Sequence, residues 1–509
     1  MSTQPFWDAK EGIDLSDVLP DAQPINATRL KFRSACGKWS DCQPGDLYVA
    51  ISEADFDGHE YAANAIQRGS IGVVTERLLA IKAPQFIVED SRVAYGEICN
   101  ALSGSPSKRM NTIGVTGTAG KTVTAHLIRS MLNHAGQTVG LSSSIETCFG
   151  DTIDGPVDHP TPPELASQLA KMVIGKCKSS VIELSGVQLA RQQLAGIQLD
   201  GAVITNVLPT NLELHGSFEN YQNALFRSFE NVKPAGFAIV NADDPKAMEL
   251  LNMAELPALT YGIHQPAEIT AKLLDRNRCF QTFLLTTGNE STVVRTSTIG
   301  KQHLYNCLAA AATGLMLGIS MESIVTGIET TSLPGRLERV DYGQDFGIWI
   351  DSGSTPTQLN SAIAAVSQVC EGKIWCIGST ASSQTISDRR RLGSILERKT
   401  EKPIVTQAYA SDKIDYEPCH QVLDGFEDPA KAHVMPDRVK AIQWALANAK
   451  PQDIVLITGA GEKKIARRGE LENSITDRDV CSSCLASKPV HSIDNWNSNN
   501  DFFRIDDYR

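Results

Sequence analysis

The stretch TIGVTGTAGKT, Thr112–Thr122, constrains this chain more than any other. A β-branched run leads into a loop of glycine and threonine and then into a helical pattern. Leu127, Ile128, Met131 and Leu132 fall at i, i+1, i+4 and i+5, one buried stripe on a helix from about Lys121 to His134. A strand passing through such a loop into a helix N-terminus is a polyphosphate site: glycines let backbone N–H groups curl around the anion, and the helix N-terminus favours negative charge. In this reading Thr116, Gly117, Thr118, Ala119 and Gly120 form the cradle, Lys121 reaches the β- and γ-phosphates, and the Thr122 hydroxyl holds Mg²⁺. The spacing departs from G-x-x-x-x-G-K-[ST], because Val115 stands at the first glycine's place.

The same alternation of strand and helix extends along the chain. Gly45–Ile51 and Ile71–Glu76 read as strands around a helix at His59–Gly69, with Ala62, Ala63 and Ile66 on one face. Ser180–Glu183, Ala202–Thr205 and Gly236–Pro245 read as strands in the middle of the chain. Phe346–Asp351, Lys373–Ser379, Pro403–Gln407 and Asp453–Gly461 follow after a break at Ser332–Val340. Strands alternating with helices predict an α/β protein with a doubly wound, mostly parallel central sheet. The expected domains are 1–108, 109–332 and 333–485, followed by a polar tail at 486–509.

The 509 residues suffice for two to four domains, and a net charge of −12 argues against nonspecific nucleic-acid or anionic-membrane binding. Met1–Ala9 has no basic region followed by an apolar run, so no signal peptide is expected. The apolar stretch Leu308–Ile319 is too short to span a bilayer, so no membrane insertion is expected. The 12 cysteines show no framework spacing and read as reduced thiols, consistent with a cytoplasmic protein. Cys481 and Cys484 form a C-x-x-C near the tail without a second ligand pair, and read as free thiols in a mobile segment.

The variant loop TGTxGKT resembles the central domain of Mur ligases and folylpolyglutamate synthases. Further motifs follow in the order of the UDP-N-acetylmuramoyl-tripeptide synthetases, which add the third stem residue: GDLYVAI with DGHEY (Gly45–Tyr61), IEL with Ser185, ITN (Ile204–Asn206) and HGSFENY (His215–Tyr221). NADDP (Asn241–Pro245), LYNCLAA (Leu304–Ala310), PGRLERV, IDSGSTP (Ile350–Pro356), PDRVKAI (Pro436–Ile442) and VLITGAG (Val455–Gly461) complete the series. The resemblance covers about residues 25 to 465. It implies a UDP-binding-like N-terminal α/β domain, a central ATP-binding domain and a Rossmann-like C-terminal domain. A folate-type ligase fits less well, because folate ligases place the nucleotide domain first.

The family's reaction is implied as well. ATP phosphorylates the carboxylate of a UDP-muramoyl peptide, and the amino group of an amino acid attacks the acyl phosphate. Two anions must approach each other, so cations have to offset their repulsion. The resemblance implies that Glu183 joins Thr122 on Mg²⁺, that Asn306 contacts the nucleotide, and that Arg336 and Asp351 close over ATP. His215 keeps its family position; a place near the metal and a packed loop histidine are both open.

The departures cluster at the chemistry. The family's Asp-His becomes Thr210 and Asn211, and its carbamylated lysine becomes Leu225, which cannot ligate metal. Val187, Gln193 and Ser354 replace a histidine, an arginine and a histidine. The amino-acid-selecting D-N-P-R falls on Ala408–Ser411, G-K-G-H-E reads GAGEK with Ala460 and Glu462, and D-S-R reads Lys38–Ser40. Loss of a second metal alone costs several kcal/mol of transition-state stabilisation, roughly a thousandfold or more in rate. Lys463, Lys464, Arg467, Arg468 and Arg389–Arg391 are either replacement charge or solvated helix faces. Two functions follow: a ligase with a rearranged site, or an eroded ATP-binding homologue with a regulatory or scaffolding role. The intact loop favours the first.

Overall fold

The β-branched run before the glycine loop forms a strand, Asn111–Thr116, and the i, i+4 stripe after it forms a helix, Lys121–His134. Both belong to a computed structural model that describes residues 12–53, 56–209, 212–288, 290–381, 384–408, 416–465 and 475–486. The chain divides into two units, Met1–Thr270 with Tyr305–Gly327, and Ala271–Leu304 with Ile328–Arg509.

The first unit contains a small sheet with strand order Gln23–Ile25, Gln85–Ile87, Gly72–Thr75, Leu47–Val49 and Ala35–Cys36. All neighbours there are parallel except the first pair. The expected helix at His59–Gly69 opens as a 3₁₀ turn, Gly58–Tyr61, before the α-helix Ala62–Gln67. Its buried face carries Ala62 and Ala65, while Ala63 is exposed, so the stripe lies one step round from the one expected.

The larger sheet of this unit runs Val139–Ser142, Ser179–Glu183, Asn111–Thr116, Leu199–Ile204, Val232–Asn241 and Ala258–Gly262, all parallel. Thr147–Phe149 and Thr152–Asp154 extend one edge antiparallel. The strand of the glycine loop sits between Ser179–Glu183 and Leu199–Ile204, where the winding reverses direction. That is where an open α/β sheet leaves a crevice beyond the carboxyl ends of its strands. Burial of Ile182, Leu184, Leu199, Ala202, Ile204 and Leu225 in one apolar cluster fixes this sheet beneath its helices.

The second unit holds an antiparallel pair, Gln281–Thr287 with Glu290–Thr296, and a six-stranded sheet. Its order is Glu338–Val340, Gly347–Asp351, Ile454–Thr458, Ile374–Thr380, Lys402–Gln407 and His433–Val434, parallel after the first pair. Two clusters, one around Trp349, Leu359, Ile363 and Leu456 and the other around Ile348, Ile350, Ile442 and Ile457, cover its two faces.

Two cysteine expectations change. Cys36 and Cys42 form a disulfide, with Cα atoms 5.6 Å apart, closing a 3₁₀ turn at Trp39–Asp41. Cys481 and Cys484 lie on the helix Asp477–Ala486, and Cys481 is fully buried against the helix Arg438–Asn448 and its sheet. The segment carrying them is therefore packed structure, because its apolar face completes a core. His491 and the rest of the tail beyond 486 lie outside the described residues, as does Met1–Ala9. Among the described residues no helix is long and apolar enough to cross a membrane.

Candidate functional site

The glycine loop is clamped by the turn that follows the neighbouring strand. Thr118 N–H donates to Asn206 O (3.0 Å), and Ala119 N–H donates to Asn206 Oδ1 (2.9 Å). Ala119 O in turn accepts from Asn206 Nδ2 (2.9 Å) and from the Thr205 hydroxyl (2.7 Å). Gly117 has φ +126°, and a Cβ there would strike the Thr205 hydroxyl and the Asn206 backbone, so only glycine allows this approach. Gly120, at φ +86°, starts the helix Lys121–His134, whose N-terminus has no side-chain cap. Lys121 Nζ donates to Gly117 O (2.9 Å) and Thr118 O (3.4 Å), inside the curve of the loop. The clamp by Thr205 and Asn206 escaped the sequence reading, although the ITN motif marked the place.

Three side-chain oxygen groups meet beside Lys121. Thr122 Oγ1 donates to Glu183 Oε1 (2.9 Å) and stands 3.2 Å from Ser144 Oγ, while Glu183 Oε2 accepts from Ser144 N–H (3.0 Å) and Oγ–H (3.1 Å). Thr122 and Glu183 were expected together; Ser144 was not, since nothing in the run Ser142–Ser144 distinguishes one serine. Mg²⁺ prefers oxygen donors and binds through one or two carboxylates with phosphate and water completing the shell. Thr122 and Glu183 supply a hydroxyl and one carboxylate, a donor set that fits such a site; among the described residues no group of three or more His, Cys, Asp or Glu side chains could hold a metal.

His215 is half-buried, its ring 4.9 Å from that of Tyr221. Burial lowers its pKa below the usual histidine value, against the pull of Glu213. The Tyr221 hydroxyl is 2.8 Å from Thr118 Oγ1, which links this ring pair to the loop, and burial pushes the phenol up to about 12. A Cβ at Gly186 would sit 2.7 Å from the Tyr221 ring and 3.2 Å from His215 Nε2, so the lack of a side chain lets the helix Gly186–Ala190 lie against both. Leu225, one turn further along the helix Phe218–Glu230, is wholly buried among Tyr221, Ala224 and Phe229. It is a core side chain. Thr210 and Asn211 lie outside the described residues.

Asn306 is buried on the helix Lys301–Met316, not exposed as a polar helix residue would be. Beside it Tyr305 donates to Asp243 Oδ2 (2.7 Å), which also accepts from Ile263 N–H (2.7 Å). Burial raises the Asp243 pKa, but these hydrogen bonds outweigh it and hold the carboxyl below its ordinary range.

The second unit gathers its own candidates at one corner. Arg336 Nη1 donates to Glu462 Oε2 (2.7 Å), and both side chains are largely buried. Asp351 accepts from Leu337 N–H (2.9 Å) and Gly353 N–H (2.8 Å); desolvation nonetheless keeps its pKa above the ordinary value. Ala460 is buried. The basic clusters are partly accounted for: Arg389 donates to Gln421 Oε1 (2.5 Å) and Ala381 O (3.0 Å), and Arg390 pairs with Asp424 (3.3 Å). Lys463 and Lys464 are exposed; Arg467, Arg468 and residues 409–411 lie outside the described residues.

Comparison with known proteins supplies the relationship. Residues 115–314 match the Mur ligase middle domain and residues 335–461 the Mur ligase, glutamate ligase domain. The UDP-N-acetylmuramoyl-L-alanyl-D-glutamate–2,6-diaminopimelate ligase of Geobacillus thermodenitrificans is 30% identical over 460 residues, covering 87% of this chain and 93% of that protein. The chain belongs to the Mur ligase family. The ligase of the same name from Geobacillus kaustophilus is 31% identical over 459 residues, covering 87% of this chain and 93% of that protein. Among solved structures, a UDP-N-acetylmuramoyl-L-alanyl-D-glutamate–2,6-diaminopimelate ligase superposes with a TM-score of 0.68 at 20% identity, over 93% of this chain and 99% of that one. MurF from Thermotoga maritima in complex with ADP gives 0.59 at 18% identity, over 89% and 96%. The three-domain Mur ligase fold is therefore the fold of this chain. Mur ligases are ATP-dependent enzymes that form amide bonds in peptidoglycan synthesis.

Proposed function

We propose that this Mur ligase uses MgATP to join an amino acid to a UDP-N-acetylmuramoyl peptide, or a related acid, during peptidoglycan precursor synthesis. The observation that carries the proposal is the oxygen cluster of Thr122, Ser144 and Glu183 beside Lys121 in a clamped glycine loop. The γ-phosphoryl group passes to the carboxylate oxygen of the acid, giving an acyl phosphate and ADP. The amine nitrogen then attacks the acyl carbon, phosphate leaves with the bonding pair, and the nitrogen loses a proton to give the amide. Lys121 and the uncapped helix N-terminus bind phosphate oxygens, with Thr116–Gly120 as the cradle. Thr122 and Glu183 would hold Mg²⁺, which would neutralise charge developing on the phosphate oxygens. His215, whose pKa burial lowers from the ordinary histidine value, stands against Tyr221, whose hydroxyl meets Thr118 of the loop, and is assigned to the catalytic groups on that contact. On the family resemblance, Asn306 of the first unit is assigned to the nucleotide, and Arg336 and Asp351 are the nucleotide candidates of the second unit. We assign the reaction to the cytoplasm, where ATP and UDP-linked precursors occur together.

The Arg336–Glu462 pair sets a specific expectation, because a cation already paired within its own unit offers less charge to a nucleotide. Glu462→Gln removes the countercharge while keeping the shape. ATP is expected to bind the variant about fivefold more tightly, equivalent to about 1 kcal/mol; unchanged affinity in a calorimetric titration would remove Arg336 from the nucleotide site.

A second reading, ATP binding without turnover, draws on the burial of Leu225 in the core, which provides no ligand for a second cation. One assay separates the two: ADP release with MgATP, with and without UDP-N-acetylmuramoyl dipeptide and an amino-acid mixture including 2,6-diaminopimelate. Release that requires both acid and amine establishes the ligase. ATP binding with no acid-dependent release establishes the second reading.

A further inference from the structure

The helix behind the glycine loop presents three polar residues on one face, Thr122, His126 and Arg129, spaced i, i+4 and i+7. Only Thr122 belongs to the phosphate site. His126 is buried, with Nε2 3.1 Å from Ser143 Oγ. Ser143 directs its own hydroxyl hydrogen to Glu146 O (2.9 Å), so its oxygen accepts from His126 Nε2–H, and it accepts as well from Glu146 N–H (3.2 Å). Glu146 is anchored in turn by Arg129 Nη1 at 3.1 Å, and its carboxylate lies 3.7 Å from His126 Nδ1. The turn Ser143–Glu146 is thus tied at Ser143 by His126 and at Glu146 by Arg129. Its next residue, Ser144, supplies two of the three hydrogen bonds that orient Glu183.

We propose that His126 is a positioning residue for the metal-binding carboxylate: through Ser143 it holds the turn whose Ser144 aims Glu183 at Thr122. The inference rests on the reading that Thr122 and Glu183 hold the Mg²⁺ of MgATP. One helix face therefore sets both sides of that site, Thr122 by direct contact and Glu183 through the turn. Groups of this kind act on the geometry of a ligand they do not touch, so their loss appears in metal affinity before it appears in the fold.

The test is ATP binding by calorimetry across a magnesium titration, on the full chain, for the unaltered protein and for His126→Leu, His126→Gln and Ser143→Ala. His126→Leu and Ser143→Ala are expected to raise the Mg²⁺ concentration for half-maximal ATP binding by about tenfold, leaving ATP binding without Mg²⁺ unchanged. His126→Gln offers an amide N–H where Nε2–H was, and is expected to return the midpoint to within about twofold. A merely structural role would weaken binding equally with and without Mg²⁺, and the glutamine would not rescue it; that pattern, or an unchanged midpoint in both His126→Leu and Ser143→Ala, overturns the inference. Should His126→Leu fail to fold, Ser143→Ala decides alone. Absence of Mg²⁺-dependent ATP binding in the unaltered protein is a different failure: it overturns the reading of Thr122 and Glu183 as the metal site, and the inference with it.

Discussion

Lys121→Ala is expected to reduce ATP turnover by roughly a thousandfold, about 4 kcal/mol of transition-state stabilisation, while leaving thermal unfolding nearly unchanged. The side chain lies inside the loop's curve, held there by Gly117 O and Thr118 O. These two carbonyls pre-position its charge where a polyphosphate would lie, so the cation needs no reorganisation as charge builds on the transferred phosphoryl group. The stability cost is small because the Gly117 and Thr118 acceptors are local and the side chain is only partly buried, and single substitutions at such positions typically stay within about 0.5 kcal/mol. Rate and fold therefore separate in this variant. ADP release at the unaltered rate would remove the loop from the chemistry, and a large fall in unfolding temperature would make Lys121 a structural residue instead.

The parts of this site that sequence made legible are those fixed by backbone rules. A β-branched run, a glycine loop and an i, i+4 stripe give a strand, Asn111–Thr116, and the helix Lys121–His134, the latter with the expected bounds, since each is decided within a few residues. What required the fold is what depends on distant turns. Ser144 is one of three consecutive serines, and only the register of Val139–Ser142 against Ser179–Glu183 decides which reaches Glu183. The strands Ile269–Arg276, Gln281–Thr287 and Glu290–Thr296 leave Leu273, Leu274 and Val293 exposed, which breaks the alternation of buried apolar and exposed polar residues, so their pattern did not stand out from loop sequence. Cys36 and Cys42 are separated like many unpaired cysteines, and only the path of the chain around Trp39–Asp41 brings them together. The replacements were visible as letters, but their consequences were not. Leu225 is packed into a core, and Glu462 holds the guanidinium of Arg336.

Asp477→Ala is expected to destabilise the second unit by about 3–5 kcal/mol, a large part of the total stability of an ordinary domain. Arg438 Nε donates to Asp477 Oδ1 (2.7 Å), and Nη2 donates to Asp477 Oδ2 (2.6 Å) and Thr458 O (3.0 Å). Both side chains are almost wholly removed from solvent, at 1% and 0% exposure, so neither charge has water to fall back on. Nη1 already lacks a hydrogen-bond partner among the described residues, and removing the carboxylate leaves a buried guanidinium with one carbonyl. The pair also ties three elements together: the helix Arg438–Asn448, the helix Asp477–Ala486 and the end of the strand Ile454–Thr458. Beyond that strand end, Gly459 N–H donates to Asp351 O (2.9 Å) and the chain continues to Glu462, so loosening Thr458 also loosens the Arg336 corner. Urea unfolding followed by the fluorescence of Trp349, Trp375 and Trp444 reads the loss. The double variant Arg438→Met/Asp477→Leu is the discriminating control. If the cost of Asp477→Ala is that of an uncompensated buried charge, the apolar pair recovers most of the stability, since well-packed replacements of buried ion pairs are often neutral. If the double variant is as unstable as the single one, the tie to Thr458 rather than the charge balance holds this part of the fold together.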